Sequence, residues 1–392
     1  MIVESPISAA VVPKTRIVLA GHPFAPIGMG EHLRCSFRAF QSVGSNVGLK
    51  DIYGSQDPDP DLKKELQDNL VEDFSRDINI FHINGDEVEA ALRHLGTAVP
   101  ADAYNVIYPM WELSRYPKEW ADQLNRFDEV WAPSKFTYDS IAPAVAKPVV
   151  HMPQTGQIEL KNFLGRRHFK IPEGAFTFLF FFDFTSYLQR KNPFAVLQAF
   201  EKLCTLRPTE DLCLVIKVKG GEARSQDYET FCDYVARSKG RFIVIDQLLS
   251  DNEIKNLVRC CDSFISLHRS EGFGLGLINA MFLGKPVIGT AYSANMDFMT
   301  ESNSCLVRYR LCEVPEGAYP FAEGQVWADA DIDHAVEHML KLSCERDCAR
   351  AMGREASRHI RVNFSYRATG LRYNERITEI IRNRASLRKA QT

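Results

Sequence analysis

The segment at 263–290 constrains the fold of this chain more than any other. Its apolar run at 263–267 predicts a buried strand, and a second buried strand is expected at 287–290. Between them lie a polar turn with Glu271, three glycines and a run of helical periodicity. A strand, a glycine turn and a helix direct the free amide groups of the helix N-terminus toward an anion. The segment therefore predicts half of a nucleotide-binding α/β unit, with Glu271 at the mouth of the site.

Size and composition narrow the class of protein. The chain has 392 residues, more than one hydrophobic core ordinarily holds, so two domains are expected. Its hydrophobic content of 45% is typical of a soluble globular protein, and its net charge of −3 gives no reason to expect a nucleic-acid partner. Ten cysteines without CxxC pairs, and no recognisable signal peptide, predict reduced thiols in a cytoplasmic protein. The longest apolar run, near 176–182, is too short to cross a bilayer.

Strands and helices alternate along both halves of the chain, which predicts parallel sheets covered on both faces. Strands are expected at 16–20, 78–83, 105–108, 129–132, 148–151, 176–182, 212–218, 242–245, 263–267 and 287–290. Helices are expected at 31–41, 60–70, 85–95, 117–126, 135–141, 193–206, 226–238, 251–259 and within 332–388, besides the one that follows the glycine turn.

The stretch at 152–173 has no clear periodicity and is interpreted as an interdomain linker. The predicted boundaries are a first domain at 1–160, a second at 161–370 and a C-terminal helix at 371–392. Two similar α/β halves would face each other across a cleft, and ligands would bind at the carboxyl ends of the strands.

The glycine turn has a functional and a purely structural interpretation. In the first, the backbone amides of 272–276, which include Phe273 and Leu275, approach a diphosphate because no Cβ atom blocks them at the glycines. Glu271 would accept hydrogen bonds from sugar hydroxyls, and Asn279 would reach a ribose. In the second, the segment is an ordinary strand-to-helix turn with a surface glutamate.

A second motif, at 183–193, follows the first strand of the second half. It contains Ser186 and the adjacent cations Arg190 and Lys191. Two cations at the carboxyl end of a strand can stabilise the charge on a departing diphosphate. The alternative is a solvated pair at a helix start, where positive charge opposes the helix dipole. Lys217 and Lys219 lie at the end of another predicted strand, where one is expected to face the cleft and the other to be solvated.

Residues of the first half suggest further contacts to a ligand. Gly28 and Gly30 follow the first strand and could contact phosphates or an acceptor, although a lone GxG also suits a tight turn. Trp111 and Glu112 combine a ring face with a carboxylate, a pairing that suits a sugar, and His82 ends a predicted strand. Packing for the tryptophan and an interior position for the histidine are the alternatives. The acidic run at 57–61 predicts a helix cap, and no cluster typical of a metal site is found.

Together these motifs resemble the GT-B nucleotide-sugar glycosyltransferases, specifically the retaining family 4 group, over nearly the whole chain. The strongest stretch is 266–300, SLHRSEGFGLGLINAMFLGKPVIGTAYSANMDFMT. FDFTSYLQRKNP and EVWAPSKFT also resemble this group, particularly its bacterial surface-polysaccharide members. The resemblance implies an α/β fold with two Rossmann-like domains facing across a cleft, and a C-terminal helix that crosses back to the first domain.

The family pattern places a second glutamate eight positions after the first. Glu271 matches the first, which contacts the transferred sugar in the family, whereas Asn279 stands where the family glutamate holds the ribose diol. An amide offers one acceptor and one donor group instead of two acceptor oxygens. Lys191 matches the family lysine, and Arg190 is a substitute for the family arginine, whose usual position falls near Thr185.

The resemblance implies a retaining enzyme of bacterial polysaccharide or lipopolysaccharide biosynthesis. It would transfer a hexose, with mannose as the first expectation, from a nucleoside diphosphate sugar to a hydroxyl of a glycan or lipid-linked glycan. No metal or other cofactor is expected. The catalytic residues would be Glu271, Arg190 and Lys191. The donor-binding residues would be Gly28, Gly30, Ser186, Lys217, Gly272, Phe273, Gly274, Leu275 and Asn279. His82, Trp111 and Glu112 would border the acceptor.

Two other functions stay open at this point. One is a non-catalytic GT-B protein that binds a nucleotide sugar, which the departure at Asn279 favours. The other is a dinucleotide-dependent oxidoreductase, although neither glycine loop is a GxGxxG with an acidic residue at the right distance. The basic C-terminal tail suggests peripheral contact with anionic lipid at the inner face of the cell membrane, and a solvated helix face is the alternative.

Overall fold

The computed structural model describes residues 15–54 and 60–391. Its strands are β1 (Ile17–Gly21), β2 (Val47–Asp51), β3 (Ile78–Phe81), β4 (Tyr104–Ile107), β5 (Glu129–Ala132), β6 (Val149–His151), β7 (Phe176–Asp183), β8 (Leu212–Lys219), β9 (Phe242–Ile245), β10 (Ser263–Ser266), β11 (Val287–Thr290), β12 (Cys305–Val307), β13 (Tyr309–Glu313) and β14 (Val326–Ala330). Its α-helices are α1 (Gly28–Ser42), α2 (Pro60–Leu66), α3 (Val88–Leu95), α4 (Lys118–Leu124), α5 (Lys135–Ile141), α6 (Leu188–Lys191), α7 (Pro193–Leu206), α8 (Ser225–Arg237), α9 (Asp251–Cys260), α10 (Leu275–Phe282), α11 (Ile332–Cys344), α12 (Arg346–Asn363) and α13 (Tyr366–Gln391).

The first half of the chain forms a six-stranded parallel sheet in the order β2-β1-β3-β4-β5-β6. β2 is added to one side of β1, whereas β3 and all later strands are added to the other side. The loops that leave β1 and β3 therefore diverge at the carboxyl edge of the sheet. In open α/β sheets this reversal is where a ligand crevice forms.

The second half forms another six-stranded parallel sheet, in the order β12-β11-β10-β7-β8-β9. Its reversal lies between β7 and β10, so the loops that carry Arg190 and Glu271 leave from neighbouring strands. β7 and β8 are buried along nearly their whole length. Burial on both faces explains why their sequences are continuous apolar runs without alternation.

The C-terminal helix α13 crosses back and packs against α1 of the first half. Gly370 makes this approach possible, because a Cβ atom there would lie 2.2 Å from the carbonyl oxygen of Ala39. One turn further along, the buried Tyr373 hydroxyl lies 3.2 Å from the hydroxyl of Ser36. The predicted fold class is confirmed: two Rossmann-like sheets with a C-terminal helix that returns to the first.

An antiparallel hairpin, β13 paired with β14, was not predicted. The hairpin is a separate two-stranded sheet, and the loop that joins its strands packs on the first half, where Tyr319 lies 5.6 Å from Trp111 between ring centroids. Gln325 fixes this contact, since its side chain accepts from the Arg115 amide at 3.0 Å and donates to the Arg115 carbonyl at 3.1 Å. The loop thereby becomes part of the junction between the two halves.

Two short strands, β2 and β12, were also not predicted, whereas β5, β9, α5 and α7 have the predicted bounds. The predicted linker contains no strand, but its residues Gln154 and Thr155 are buried, and the Thr155 hydroxyl donates to the Phe364 carbonyl at 2.7 Å. The boundaries at 160/161 and 370/371 stay predictions. Of the acidic run, 57–59 lies outside the described residues, and Asp61 lies in the first turn of α2.

The remaining sequence predictions concern the state of the cysteines, membrane crossing and the basic C-terminal tail. All ten cysteines fall within the described residues and are free thiols. None of the described helices is both long and apolar enough to cross a membrane. In the basic tail, Arg384 donates to the Asp77 carbonyl at 3.0 Å and so contributes to holding α13 on the first half. The side chains of Arg388 and Lys389 lie outside the described ones.

Candidate active site

A cleft of about 520 Å³ lies between the carboxyl edges of the two sheets. The second half lines it with the segments after β7, β8, β9 and β10, and the first half with those after β1, β3, β4 and β6. The Lys219 ammonium, at the end of β8, donates to the Pro26 carbonyl of the first half at 2.6 Å across this cleft. The cleft therefore coincides with the edge where both sheets direct their loops.

Three predicted catalytic residues meet in one charged cluster at the cleft wall. The Lys191 ammonium lies 2.5 Å from one carboxylate oxygen of Glu271, and the Arg190 guanidinium lies 3.4 Å from the other. Arg190 also approaches the Glu112 carboxylate of the first half at 3.7 Å. The cluster thus joins the motif after β7, the motif after β10 and the loop after β4.

Local backbone geometry explains how Arg190 and Lys191 reach Glu271. Both stand in α6, a single turn flanked by Tyr187 (φ 64°) and Asn192 (φ 53°) in the left-handed region. Asparagine tolerates this conformation better than most residues, and the Asn192 amide donates to the Leu267 carbonyl at 2.9 Å. The two reversals turn α6 back toward the end of β10. They therefore place both cations beside the carboxylate.

The amide-rich turn at the N-terminus of α10 forms the floor of the cleft. Gly274 has φ 95°, a conformation that favours glycine, and it precedes the first helical residue, Leu275. The first-turn amides of a helix have no carbonyl partner within the helix, so they can donate to an anion. A Cβ atom at Gly276 would lie 2.7 Å from the Phe264 ring, so glycine is also needed for packing.

Electrostatics keep Glu271 ionised. Burial raises its pKa, but the positive charges of Lys191 and Arg190 outweigh burial and lower the pKa to about 2. Burial lowers the pKa of Lys191, and the Glu271 charge opposes that effect. Burial is also the main cause of a lowered pKa at Lys217, with neighbouring Lys219 as the next. Positive charge is therefore concentrated on the second-half side of the cleft.

The structure brings most of the predicted site residues together. The cleft lining includes Glu271, Arg190, Lys191, Gly28, Ser186, Lys217, Gly272, Phe273, Gly274, Leu275 and Glu112. Lys217 is mostly buried, and its ammonium donates to the neighbouring Val218 carbonyl.

Four predicted residues lie outside this lining. The Asn279 amide donates to the Gly156 carbonyl at 3.1 Å, behind the α10 turn. A Cβ atom at Gly30 would meet the Ala25 carbonyl oxygen at 2.3 Å, so this glycine allows a close backbone approach. His82 is fully buried beside the His32 ring, and burial lowers the pKa of His82 to about 3. Trp111 is buried, and its indole N–H donates to the Arg115 carbonyl at 3.0 Å.

Sequence reasoning missed three residues near the cleft. Asn84 lines it and accepts from the Met110 amide at 2.9 Å. Gln154 also lines it, fully buried, and neither its amide nitrogen nor its oxygen has a hydrogen-bond partner within the described residues. Tyr319 donates from its hydroxyl to Glu112. Asn84 directly precedes Gly85-Asp86 after a predicted strand, and this position could have indicated it from the sequence. The positions of Gln154 and Tyr319 depend on long-range packing, which no local pattern shows.

No group of three or more His, Cys, Asp or Glu side chains in the described part of the chain has an arrangement that could hold a metal ion. The cleft contains a partly buried carboxylate, two adjacent cations and a turn of free amides. These groups suit a ligand that carries a diphosphate and hydroxyls.

Part of the chain matches a known protein family. Residues 166–308 match the family model of glycosyl transferases group 1, a segment that includes Arg190, Lys191 and Glu271. A comparison with curated proteins gives no significant match. The predicted resemblance to the group 1 glycosyltransferases is confirmed over residues 166–308.

Solved structures with the same architecture extend the fold assignment to most of the chain. HepE from Anabaena, in complex with UDP-glucose, superposes with a TM-score of 0.65 at 13% identity, covering 94% of this chain and 100% of that chain. Sucrose-phosphate synthase from Thermosynechococcus elongatus gives the same four values. TarM from S. aureus gives a TM-score of 0.54 at 11% identity, covering 76% of this chain and 55% of that chain. The fold is that of the GT-B glycosyltransferases.

Proposed function

We propose that this protein is a retaining, family 4-like glycosyltransferase. It transfers a hexose from a nucleoside diphosphate sugar to a hydroxyl of a glycan or lipid-linked glycan, in bacterial polysaccharide or lipopolysaccharide biosynthesis. Mannose is the first candidate for the hexose, by analogy alone. The solved relatives that carry UDP or UDP-glucose support a nucleotide-sugar donor.

One observation carries this proposal: the Lys191–Glu271–Arg190 cluster lies beside the free amides of α10 in the cleft between the halves. A diphosphate at these amides would have both cations within reach. Glu271 would exchange part of its contact with Lys191 for the hydroxyls of the donor sugar. Such an arrangement stabilises charge where it develops as the sugar leaves.

The chemistry follows from this placement. The acceptor oxygen forms a bond to the anomeric carbon on the face from which the diphosphate departs, and the bond between that carbon and the diphosphate oxygen breaks. The departing diphosphate takes the proton of the acceptor hydroxyl. Arg190, Lys191 and the α10 amides stabilise its negative charge. Retention of configuration follows because entry and departure share one face.

Removing either member of the ion pair should abolish most of this activity. For Lys191→Ala and Glu271→Ala we expect sugar transfer and donor hydrolysis to fall by about 10²–10³-fold, the usual loss when one stabilising group is removed. The donor is first chosen by a thermal shift screen of GDP, UDP, ADP and TDP sugars, because a bound ligand raises the unfolding temperature.

Lys202→Ala is the matched control, since Lys202 is an exposed lysine of α7 that pairs with Asp333 away from the cleft. It should keep wild-type rates. Wild-type rates in both active-site variants would refute the site.

The proposed reaction needs no metal, because its cations come from Arg190 and Lys191. Incubation with EDTA should therefore leave the initial rate of donor turnover unchanged. The rate is compared before and after chelation, and again after addition of Mg²⁺ or Mn²⁺. A loss on chelation that a divalent ion restores would contradict this prediction.

The position of Asn279 favours one alternative, a non-catalytic GT-B protein that binds a nucleotide sugar. Its amide is bonded to the Gly156 carbonyl and lies outside the cleft lining. A protein of this kind would show a thermal shift with one donor but no turnover of it, with water or with any acceptor tested.

A further inference from the structure

A second, smaller pocket opens off the cleft beside Arg190. Its volume is about 170 Å³, far more than the roughly 10–15 Å³ that a single water needs. Asn84, Glu112, Ser186 and Arg190 line both the pocket and the main cleft, so the two spaces are continuous. A ligand held in the pocket would therefore stand next to the Lys191–Glu271 pair.

Aromatic side chains from four segments line this pocket. Trp111 comes from the loop after β4, Trp120 from α4, Tyr187 from the loop after β7, and Tyr319 from the hairpin loop. Tyr187 and Tyr319 lie 4.6 Å apart between ring centroids, and Trp120 packs at 5.3 Å against both Trp111 and Phe321. These contacts hold the rings in place before any ligand arrives.

The polar groups of the pocket have unused hydrogen-bonding capacity. Asp86 is exposed, and within the described residues no cation lies at ion-pair distance from its carboxylate. Partial desolvation by the surrounding protein raises the pKa of Asp86, with its backbone surroundings and Glu87 as smaller influences. The Nε atom of Arg190 is buried and has no hydrogen-bond partner among the described residues. The pocket thus offers a bound molecule one hydrogen-bond acceptor, the Asp86 carboxylate, and one hydrogen-bond donor, the Arg190 Nε–H group.

We propose that this pocket binds one hexose unit of the acceptor glycan, an inference that rests on the proposed transferase function. A pyranose ring has C–H faces that pack on aromatic rings and peripheral hydroxyls that donate to carboxylates. Asp86 and Glu112 accept from those hydroxyls, while Trp120 and Tyr319 contact the ring. One hydroxyl then faces the cleft where the donor sugar binds.

The hairpin loop gives the pocket a wall that the matched family segment does not contain. Tyr319 and Pro320 line the pocket, whereas the match to the family model ends at residue 308. The Tyr319 hydroxyl donates to Glu112, which also faces Arg190 at 3.7 Å. The hairpin therefore links the proposed acceptor pocket to the charged cluster.

The test measures binding of simple glycosides to the full-length protein without any donor. Methyl α-glucoside, methyl α-mannoside and methyl α-galactoside are titrated, and saturation-transfer NMR gives each dissociation constant. At least one should bind saturably. In Asp86→Asn, which keeps the size of the side chain, its dissociation constant should rise by about tenfold or more, the loss expected for one charged hydrogen bond.

Glu87→Gln is the matched control, because the neighbouring Glu87 pairs with His22 at 2.5 Å and does not line the pocket. Glycoside binding equal to wild type in Asp86→Asn, or no saturable binding of any of the three glycosides by the wild type, overturns the proposal. Because no turnover is required, the outcome is separate from the Lys191→Ala and Glu271→Ala assays: donor turnover without glycoside binding refutes the pocket alone, and glycoside binding without donor turnover refutes the transferase alone.

Discussion

At the Glu271 carboxylate, two opposing effects set the charge. Burial favours the neutral acid, whereas Lys191 at 2.5 Å and Arg190 at 3.4 Å favour the carboxylate. The effect of the two cations is larger than that of burial, and it lowers the pKa of Glu271 from 4.5 to about 2. The same ion pair that serves the proposed chemistry therefore also contributes to the stability of the folded chain, and this contribution depends on pH.

The sign of that dependence follows from the lowered pKa. The contribution of Glu271 is fully present above pH 4.5 and is lost as the pH falls toward 2. It amounts to about 3 kcal/mol. We therefore expect Glu271→Gln to unfold more easily than wild type at neutral pH and the two free energies of unfolding to converge as the pH falls below 4.5. Urea titrations at several pH values give these free energies.

Glu301→Gln, an exposed position, serves as the reference for this experiment. It should follow the wild-type curve throughout. A constant difference between Glu271→Gln and wild type at all pH values would show that the carboxylate keeps an ordinary pKa in the folded protein.

At the scale of elements, the α1–α13 contact depends on one missing side chain. Replacing a helical glycine by alanine ordinarily stabilises a helix by about 1 kcal/mol. At Gly370, however, the new Cβ atom would lie 2.2 Å from the Ala39 carbonyl oxygen, which belongs to backbone and cannot move aside cheaply. Overpacking costs about 1–3 kcal/mol, so we expect Gly370→Ala to lower the melting temperature.

Gly165→Ala tests the same change without the contact, since nothing lies within 4 Å of a Cβ atom there. Its melting temperature, measured by differential scanning calorimetry, should equal that of wild type. A Gly370→Ala variant at or above the wild-type melting temperature would show that α13 does not pack closely on α1.

The elements that sequence reasoning predicted well are those whose pattern is local. β7 and β8 are continuous apolar runs because both faces are buried, and β10, α10 and β11 are separated by glycines. β13, in contrast, is largely exposed, so no hydrophobic alternation marks it. Its loop has no regular periodicity. It is ordered by contacts with Trp111 and Arg115, about two hundred positions earlier in the chain, which a local pattern cannot show.

The candidate site likewise contains some residues that the local sequence predicts and others that only tertiary contacts place. Arg190, Lys191 and Glu271 were predicted to act together because each follows a strand, and strands of one parallel sheet end at one edge. The direction of the Asn279 side chain was not predictable from the sequence. It depends on the position of Gly156, a residue of the predicted linker, whose carbonyl accepts from the Asn279 amide. Tyr319 and Gln154 depend on tertiary contacts of the same kind.

On the scale of the whole molecule, Asp297 joins the two halves. Its carboxylate accepts from the Lys135 amide at the N-terminus of α5 at 2.9 Å and lies 2.9 Å from the His151 ring. Both partners belong to the first half, and Asp297 follows β11 of the second. An acidic side chain at a helix N-terminus is favourable to the helix dipole, so the contact stabilises the closed cleft.

Asp297→Ala should loosen this junction. We expect the KM for the donor to rise by about tenfold, which corresponds to about 1.4 kcal/mol, because part of the binding energy is then spent on bringing the halves together. Small-angle X-ray scattering should give a larger radius of gyration in the absence of donor. Asp333→Ala, an exposed carboxylate of α11 with a surface partner, should change neither quantity. An unchanged KM and radius in Asp297→Ala would mean that the contact does not hold the halves together.

The peptide group between Gly272 and Phe273 connects the first half of the chain to the turn before α10. Its carbonyl accepts from the hydroxyl of Ser134 at 3.0 Å and from that of Thr137 at 3.3 Å, both in the first half. In a planar trans peptide the N–H points opposite to the carbonyl. A hydrogen bond to the oxygen polarises the whole amide and makes its hydrogen a better donor. The contact from the first half should therefore make the Phe273 amide a stronger donor to the diphosphate of the proposed sugar donor.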